Sequence, residues 1–189
     1  MDLTEKRIDG QTLYKGCVFE VQKDTVQLPN KKISVREVVR HNGGACVCAM
    51  DSEYNVFFVR QFRYAYNKEI LEMPAGKLEK GEDAYSAAVR ELREETGIAA
   101  CDMISLGEMY PSVGYTDEVI SMYLAVNLTQ SEQQLDEDEF VKIEKIPFEQ
   151  AVQMVLTGEI KDAKTQICLL KAYLMLDALG REQTVKKEI

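Results

Sequence analysis

Glu91, Glu94 and Glu95 crowd into five consecutive positions of the stretch GKLEKGEDAYSAAVRELREETGI, which runs from Gly76 to Ile98. On a helix at about 100° per residue, Glu95 lies about 40° to one side of Glu91 and Glu94 about 60° to the other. The three carboxylates then share one face. Ala84, Ala87 and Ala88 fall within about 60° of the same direction, so the face begins as small, close-packing residues and ends in acids. Two carboxylates about 6 Å apart, at an effective dielectric near 20, repel by roughly 3 kcal/mol. Arg90 and Arg93 carry opposite charge, yet on the helical wheel both project largely away from that face. A solvated acidic surface would need no counter-charge, but the alanines argue that these acids are partly buried. A hard divalent cation such as Mg²⁺ is the economical partner, because it takes oxygen ligands and keeps waters for a phosphate-bearing substrate.

The surrounding elements must hold that face in place. The helix is expected over residues 82–96, with Gly97 as the left-handed residue that ends it. Tyr85, Val89 and Leu92 form a neighbouring apolar stripe that can anchor it in a core. Glu82, nine residues before Glu91, is half a turn out of phase and belongs to the helix start or the preceding loop. Gly76 and Gly81 bracket KLEK as a tight loop whose backbone can approach a ligand. Upstream, VFEVQKDTVQL and ISVREVVRH alternate around PNKK and predict a hairpin. GGACVCAM, NVFFVRQFRY, the short EILEMP, then MISLGEMY, EVISMYLAVNL and FVKIEKIP predict further strands. QSEQQLDEDE, residues 130–139, reads as an acidic loop. Two helices follow, one from near Phe148 and one over about 163–179 before Gly180, with the polar tail REQTVKKEI. Strands followed and interrupted by helices predict an α/β (α+β) sandwich around one core.

Composition agrees with that size of fold and narrows the partners. A chain of 189 residues, 46% hydrophobic and 29% charged, suits one domain or a domain with a small subdomain. The formal charge of −9 argues against a nucleic-acid or membrane-surface binder, whose footprint would be basic. No run of about 18 uncharged apolar residues is present to span a membrane, and the opening MDLTEKRIDG has no secretory h-region. Five cysteines at unpatterned spacing read as free thiols of a cytoplasmic protein, with Cys46 and Cys48 on one side of a strand. His41, the only histidine, reads as structural.

Gly76, Glu82 and the run Arg90-Glu91-Leu92-Arg93-Glu94-Glu95-Thr96-Gly97-Ile98 match the Nudix box at its nine defined positions over 23 residues. The chain therefore resembles the Nudix hydrolases, and its flanks resemble the ADP-ribose pyrophosphatases among them. VRQFRYAYNKEILEMPAGKLEKGE is similar to their segment before the box, and YPSVGYTDE to their substrate-specificity segment, although Val113 stands where they usually carry proline. The resemblance implies a Nudix-type α/β/α sandwich with a mixed sheet over residues 42–182. An N-terminal antiparallel β-hairpin subdomain over 1–41, on the dimerisation and adenine side, and a tail over 183–189 complete the expected layout. It implies Mg²⁺, with Mn²⁺ as a substitute, held by Glu91, Glu94, Glu95 and the carbonyl of Ala75. Arg90 would orient the glutamates, and Glu139, with Glu137 as runner-up, would serve as the base beside the catalytic Glu91 and Glu95. Arg63, Arg36, Glu72 and Phe19 are the implied substrate contacts, Phe19 with Tyr14 near the adenine. The implied reaction is hydrolysis of ADP-ribose to AMP and ribose 5-phosphate by a homodimer. Another nucleoside diphosphate derivative, such as a nucleotide sugar, and a non-catalytic ADP-ribose sensor are the rival readings.

Overall fold

The computed structural model describes residues 2–135, 137 and 139–187 and divides the chain into two compact units, Met1–Gly43 with Tyr110–Val119, and Gly44–Met109 with Ile120–Ile189. Asp136 and Asp138 of the acidic loop, and the last two residues of the tail, lie outside the described residues.

The first unit is an antiparallel sheet of β1 (Lys6–Lys15), β2 (Phe19–Gln27) and β3 (Ile33–His41), in that order. The expected hairpin is β2–β3, closed by Leu28 and Lys31 with Lys31 at φ 70°. The third strand, β1, went unread: KRIDGQTLYK is polar and lacks alternation, and its register against β2 shifts twice. The segment Tyr110–Val119, whose YPSVGYTDE run resembles a substrate-specificity segment, belongs to this unit. Val39 N–H donates to Tyr115 O (2.7 Å) and His41 N–H donates to Asp117 Oδ1 (3.0 Å), while Arg40 pairs with Asp117 at 3.0 Å. His41 Nδ1 accepts from Gly43 N–H (3.0 Å), a structural bond that closes the strand end.

The second unit is a mixed sheet ordered β10 (Val141–Pro147), β5 (Asn55–Arg63), β4 (Gly44–Met50), β9 (Ile120–Gln130) and β8 (Ile98–Met109). The short strands β6 (Lys68–Glu72) and β7 (Ala75–Lys77) pair with β5 and β4. Among the described residues of this sheet only β4 and β9 run parallel. Every residue of β4 is buried, and its two faces alternate between two cores. Ala45, Val47 and Ala49 meet Ala87, Ala88 and Leu92 of α1 (Ala84–Thr96). Cys46, Cys48 and Met50 meet α2 (Phe148–Leu156) and α3 (Ala163–Lys187) through Val152, Leu169 and Ala172. This is the α/β/α sandwich. Among the described residues no helix is long and apolar enough to cross a membrane.

Three local expectations are corrected. Helix α1 starts two residues later than read, because the Asp83 carboxylate caps it by accepting from Tyr85 N–H and Ser86 N–H; Glu82 is therefore in the loop. Tyr85 and Val89 are exposed and only Leu92 is buried, since close approach through Ala87 and Ala88 leaves the larger side chains at the flank. Helix α3 runs through Gly180 to Lys187, because one interior glycine costs only about 1 kcal/mol. Cys46, Cys48 and Cys168 are buried free thiols, while Cys17 and Cys101 are exposed.

Gly97 ends α1 at φ 66°, and its N–H donates to Arg93 O (2.8 Å). A β-carbon there would also come within 3.1 Å of the Gln133 nitrogen. Gly97→Ala should therefore lower the unfolding free energy by about 1–2 kcal/mol or more, read from urea titrations; an unchanged midpoint would show that neither constraint acts.

Candidate active site

Pairing of β7 with β4 carries Ala75 and Gly76 over the acidic face of α1. The two elements meet there through the glutamate side chains. A β-carbon on Gly76 would collide with the Glu91 carboxylate, and Ala75 N–H donates to Glu95 Oε2 (2.9 Å). Glu91 and Glu95 are buried, at 8% and 3% exposure, and Glu94 is half-buried. Arg90 corrects the helical-wheel expectation, because its long stem lets the guanidinium fold back over the acids. Its Nε and Nη2 grip Glu82 (both 2.9 Å), Nη1 reaches Glu91 (2.8 Å) and Glu94 (3.0 Å), and Nη2 also donates to Lys77 O (3.1 Å). Arg93 points to solvent, as expected.

The loop after β9 is sewn to the end of the same helix. Ser131 N–H donates to Gly97 O (2.8 Å), Gln133 Nε2 to Glu95 O (2.7 Å) and Gln134 N–H to Glu94 O (3.1 Å). Glu139, further along this loop, is half-buried and close enough for its charge to act on both Glu91 and Glu95. Glu137 is exposed.

Two buried glutamates show what this arrangement lacks. Glu72, at 2% exposure, accepts a guanidinium fork from Arg63 (2.6 and 2.8 Å) and an ion pair from Lys164. Burial pushes its carboxyl up, but the Arg63 fork and Lys164 outweigh burial and leave it below the ordinary carboxylate range. Glu95 is buried to the same degree. Among the described residues no cationic side chain forms an ion pair with it. Burial, then the charges of Glu91 and Glu139, overcome the Ala75 N–H and a distant pull from Arg63, and Glu95 is pushed up to about 8. Burial also raises Glu91 against the pull of Arg90.

All the candidate donors are hard oxygens, the glycine at position 76 leaves room at the carboxylates, and a buried acid lacks a counter-charge. Among the described residues the acids are not gathered into a closed cage, since Arg90 holds Glu91 and Glu94 while Ala75 holds Glu95. Donor type and unmet charge fit a divalent cation. The other implied substrate residues are spread over both units. Arg63 and Glu72 lie in the second, engaged with each other. In the first unit, Arg36 pairs with Glu5 (2.5 Å), and Phe19, half exposed, sits 5.9 Å from the Tyr14 ring. Lys164, Asp162 and Thr165 were missed: in sequence they fall only at the start of the expected last helix, and the structure shows the Asp162 carboxylate accepting from Thr165 N–H (3.0 Å).

A family model of the NUDIX domain matches residues 40–167. The chain belongs to the Nudix hydrolases. It is 40% identical, over 92% of its length and 94% of the relative's, to an ADP-ribose pyrophosphatase of Bacillus subtilis. It is 42% identical, over 91% and 93%, to a methanol dehydrogenase activator of Bacillus methanolicus. A GDP-mannose pyrophosphatase of Enterobacter sp. is 34% identical over 90% and 92%. A crystal structure of an ADP compounds hydrolase superposes with a TM-score of 0.83, covering 96% of this chain and 99% of its own at 21% identity. That structure supports the Nudix fold.

The raised carboxyl of Glu95 fixes the sign of a pH effect. Without metal, the folded protein keeps a proton that the unfolded chain releases near 4.5, so the folded state binds more protons over the window up to about 8. Stability from this group is complete below 4.5 and lost as pH rises toward 8. The Tm of the metal-free Nudix hydrolase should fall from pH 5 to 8, Mg²⁺ should restore more of it at pH 8 than at pH 5, and Glu95→Gln should flatten both trends. A Glu95→Gln protein with wild-type pH and Mg²⁺ dependence would contradict this.

Proposed function

We propose that this Nudix hydrolase cleaves the pyrophosphate bond of ADP-ribose to give AMP and ribose 5-phosphate, as a cytoplasmic, Mg²⁺-dependent enzyme. The observation that carries the reading is the buried, uncompensated Glu95 beside Glu91 and within the field of Glu139. Glu91, Glu94, Glu95 and the Ala75 carbonyl would hold the cation. When bound, a divalent cation neutralises charge on the diphosphate and makes water a better nucleophile. The chain's own residues do the positioning. Arg90 aims Glu91 and Glu94, the Ala75 N–H aims Glu95, and Glu139 takes the proton of the attacking water. As the new P–O bond forms, the bridging P–O bond breaks and its electrons leave with the departing phosphate. Arg63, braced by Glu72, supplies a fork for the diphosphate.

The name of the Bacillus subtilis relative and the YTDE run support ADP-ribose. Val113 and the GDP-mannose pyrophosphatase name support a nucleotide sugar as the second reading. Exposed Ile8, Leu13, Tyr14, Ile33 and Val35 on the N-terminal sheet support a homodimer built through that sheet.

A phosphatase-coupled panel of ADP-ribose, nucleotide sugars and dinucleotides, with and without EDTA, tests the proposal. ADP-ribose should give the highest kcat/KM, and EDTA should abolish turnover. Glu139→Gln should lower kcat by about 10²–10⁴-fold, and Glu137→Gln by far less. Near-normal turnover by Glu139→Gln would remove it as the base, and preference for a nucleotide sugar would select the second reading.

A further inference from the structure

Lys164 and Thr165, on the first turn of α3, both reach the segment Glu72–Met73 that leads into β7. Lys164 Nζ bridges the Glu72 carboxylate and Asp162 Oδ1 (3.0 Å), with its side chain only 15% exposed. Thr165, completely buried, accepts a hydrogen bond from Met73 N–H on its Oγ1 (2.8 Å) and donates that hydroxyl to Asp162 Oδ2 (2.6 Å). Asp162 also receives Thr165 N–H (3.0 Å), so the helix cap, the lysine and the threonine form one hydrogen-bonded block. Adjacent residues 72 and 73 are thus clamped to α3 through one side chain and one backbone amide. Two residues later, Ala75 N–H holds Glu95. Burial works against the charge on Lys164, but Asp162 and Glu72 outweigh it and keep the amine above the ordinary lysine range.

We infer that Lys164 and Thr165 are positioning residues that staple the Glu72–Ala75 segment to α3 and so set where Glu95 meets a divalent cation. The inference rests on the cation reading given above. The path runs from Lys164 to Glu72 and from Thr165 to Met73, then through Pro74 and Ala75 to the Glu95 carboxylate. Glu72 at the same time braces Arg63, so loss of the lysine also leaves the guanidinium fork on a less balanced carboxylate. The role differs from a merely structural one in its signature. A positioning residue alters cation affinity out of proportion to any change in stability, whereas a packing residue alters stability alone.

The test is direct Mn²⁺ binding to the full-length protein, read from the EPR signal of free Mn²⁺, alongside Tm. Lys164→Met and Thr165→Val should each weaken Mn²⁺ binding about tenfold. Thr165→Ser, which keeps the hydroxyl, should bind within twofold of wild type. Val152→Ala, a cavity in the buried face of α2, should lower Tm without changing Mn²⁺ affinity. Folded Lys164→Met and Thr165→Val proteins that bind Mn²⁺ like wild type would overturn the inference, as would an equal loss in Val152→Ala. Wild-type protein that binds no Mn²⁺ would remove the cation reading itself, and the staple's role with it.

Discussion

The hydrogen bond from Ala75 N–H to Glu95 Oε2, 2.9 Å long, joins the two pieces of chain on which the site depends. It requires β7 to lie on β4, and it requires α1 to dock closely enough for a carboxylate at 3% exposure to reach a backbone amide. Ala87 and Ala88 make that approach possible against Ala45, Val47 and Ala49, and Gly76 makes room for Glu91 beside it. One neutral amide cannot balance a buried charge, however. The same packing that builds the site therefore leaves Glu95 with a charge that a retained proton or an added cation must balance.

The protein's own cations are placed to either side of that gap. Arg90 serves the outer edge, gripping Glu82 in the loop and Glu91 and Glu94 on the helix. Arg63 and Lys164 serve the inner edge, where they saturate Glu72. Among the described residues Glu95 joins neither network by an ion pair, and the charge of Glu139 acts on it. Leaving one acid unmatched between two matched groups is costly in a core that otherwise pairs its charges, and sites with perturbed carboxyls of this kind are where acid–base and metal chemistry concentrate.

Much of this was legible in the chain. Helical spacing alone put Glu91, Glu94 and Glu95 on one face and separated Glu82 from them, and the alanines announced a close-packed helix. Strand alternation located β2 and β3, strand-like runs located β5 and β9, and Gly97 marked the end of α1. What escaped was whatever depends on reach or on distance along the chain. The helical wheel follows the Cβ direction, so it missed the stem of Arg90 curling back. β1 carries polar residues on both faces and earns its place through backbone pairing. The return of residues 110–119 to the N-terminal sheet, and the clamp of Lys164 on Glu72, join residues far apart in sequence, where no periodicity exists to betray them.

The most direct measurement of the central claim is the titration of the Glu95 side-chain carboxyl by ¹³C NMR, with and without Mg²⁺. In metal-free protein the Glu95 signal should titrate near 8, far above the ordinary 4.5. With Mg²⁺ bound it should remain ionised down to the ordinary carboxylate range or below. A metal-free Glu95 that titrates near 4.5, or one whose titration ignores saturating Mg²⁺, would contradict the account.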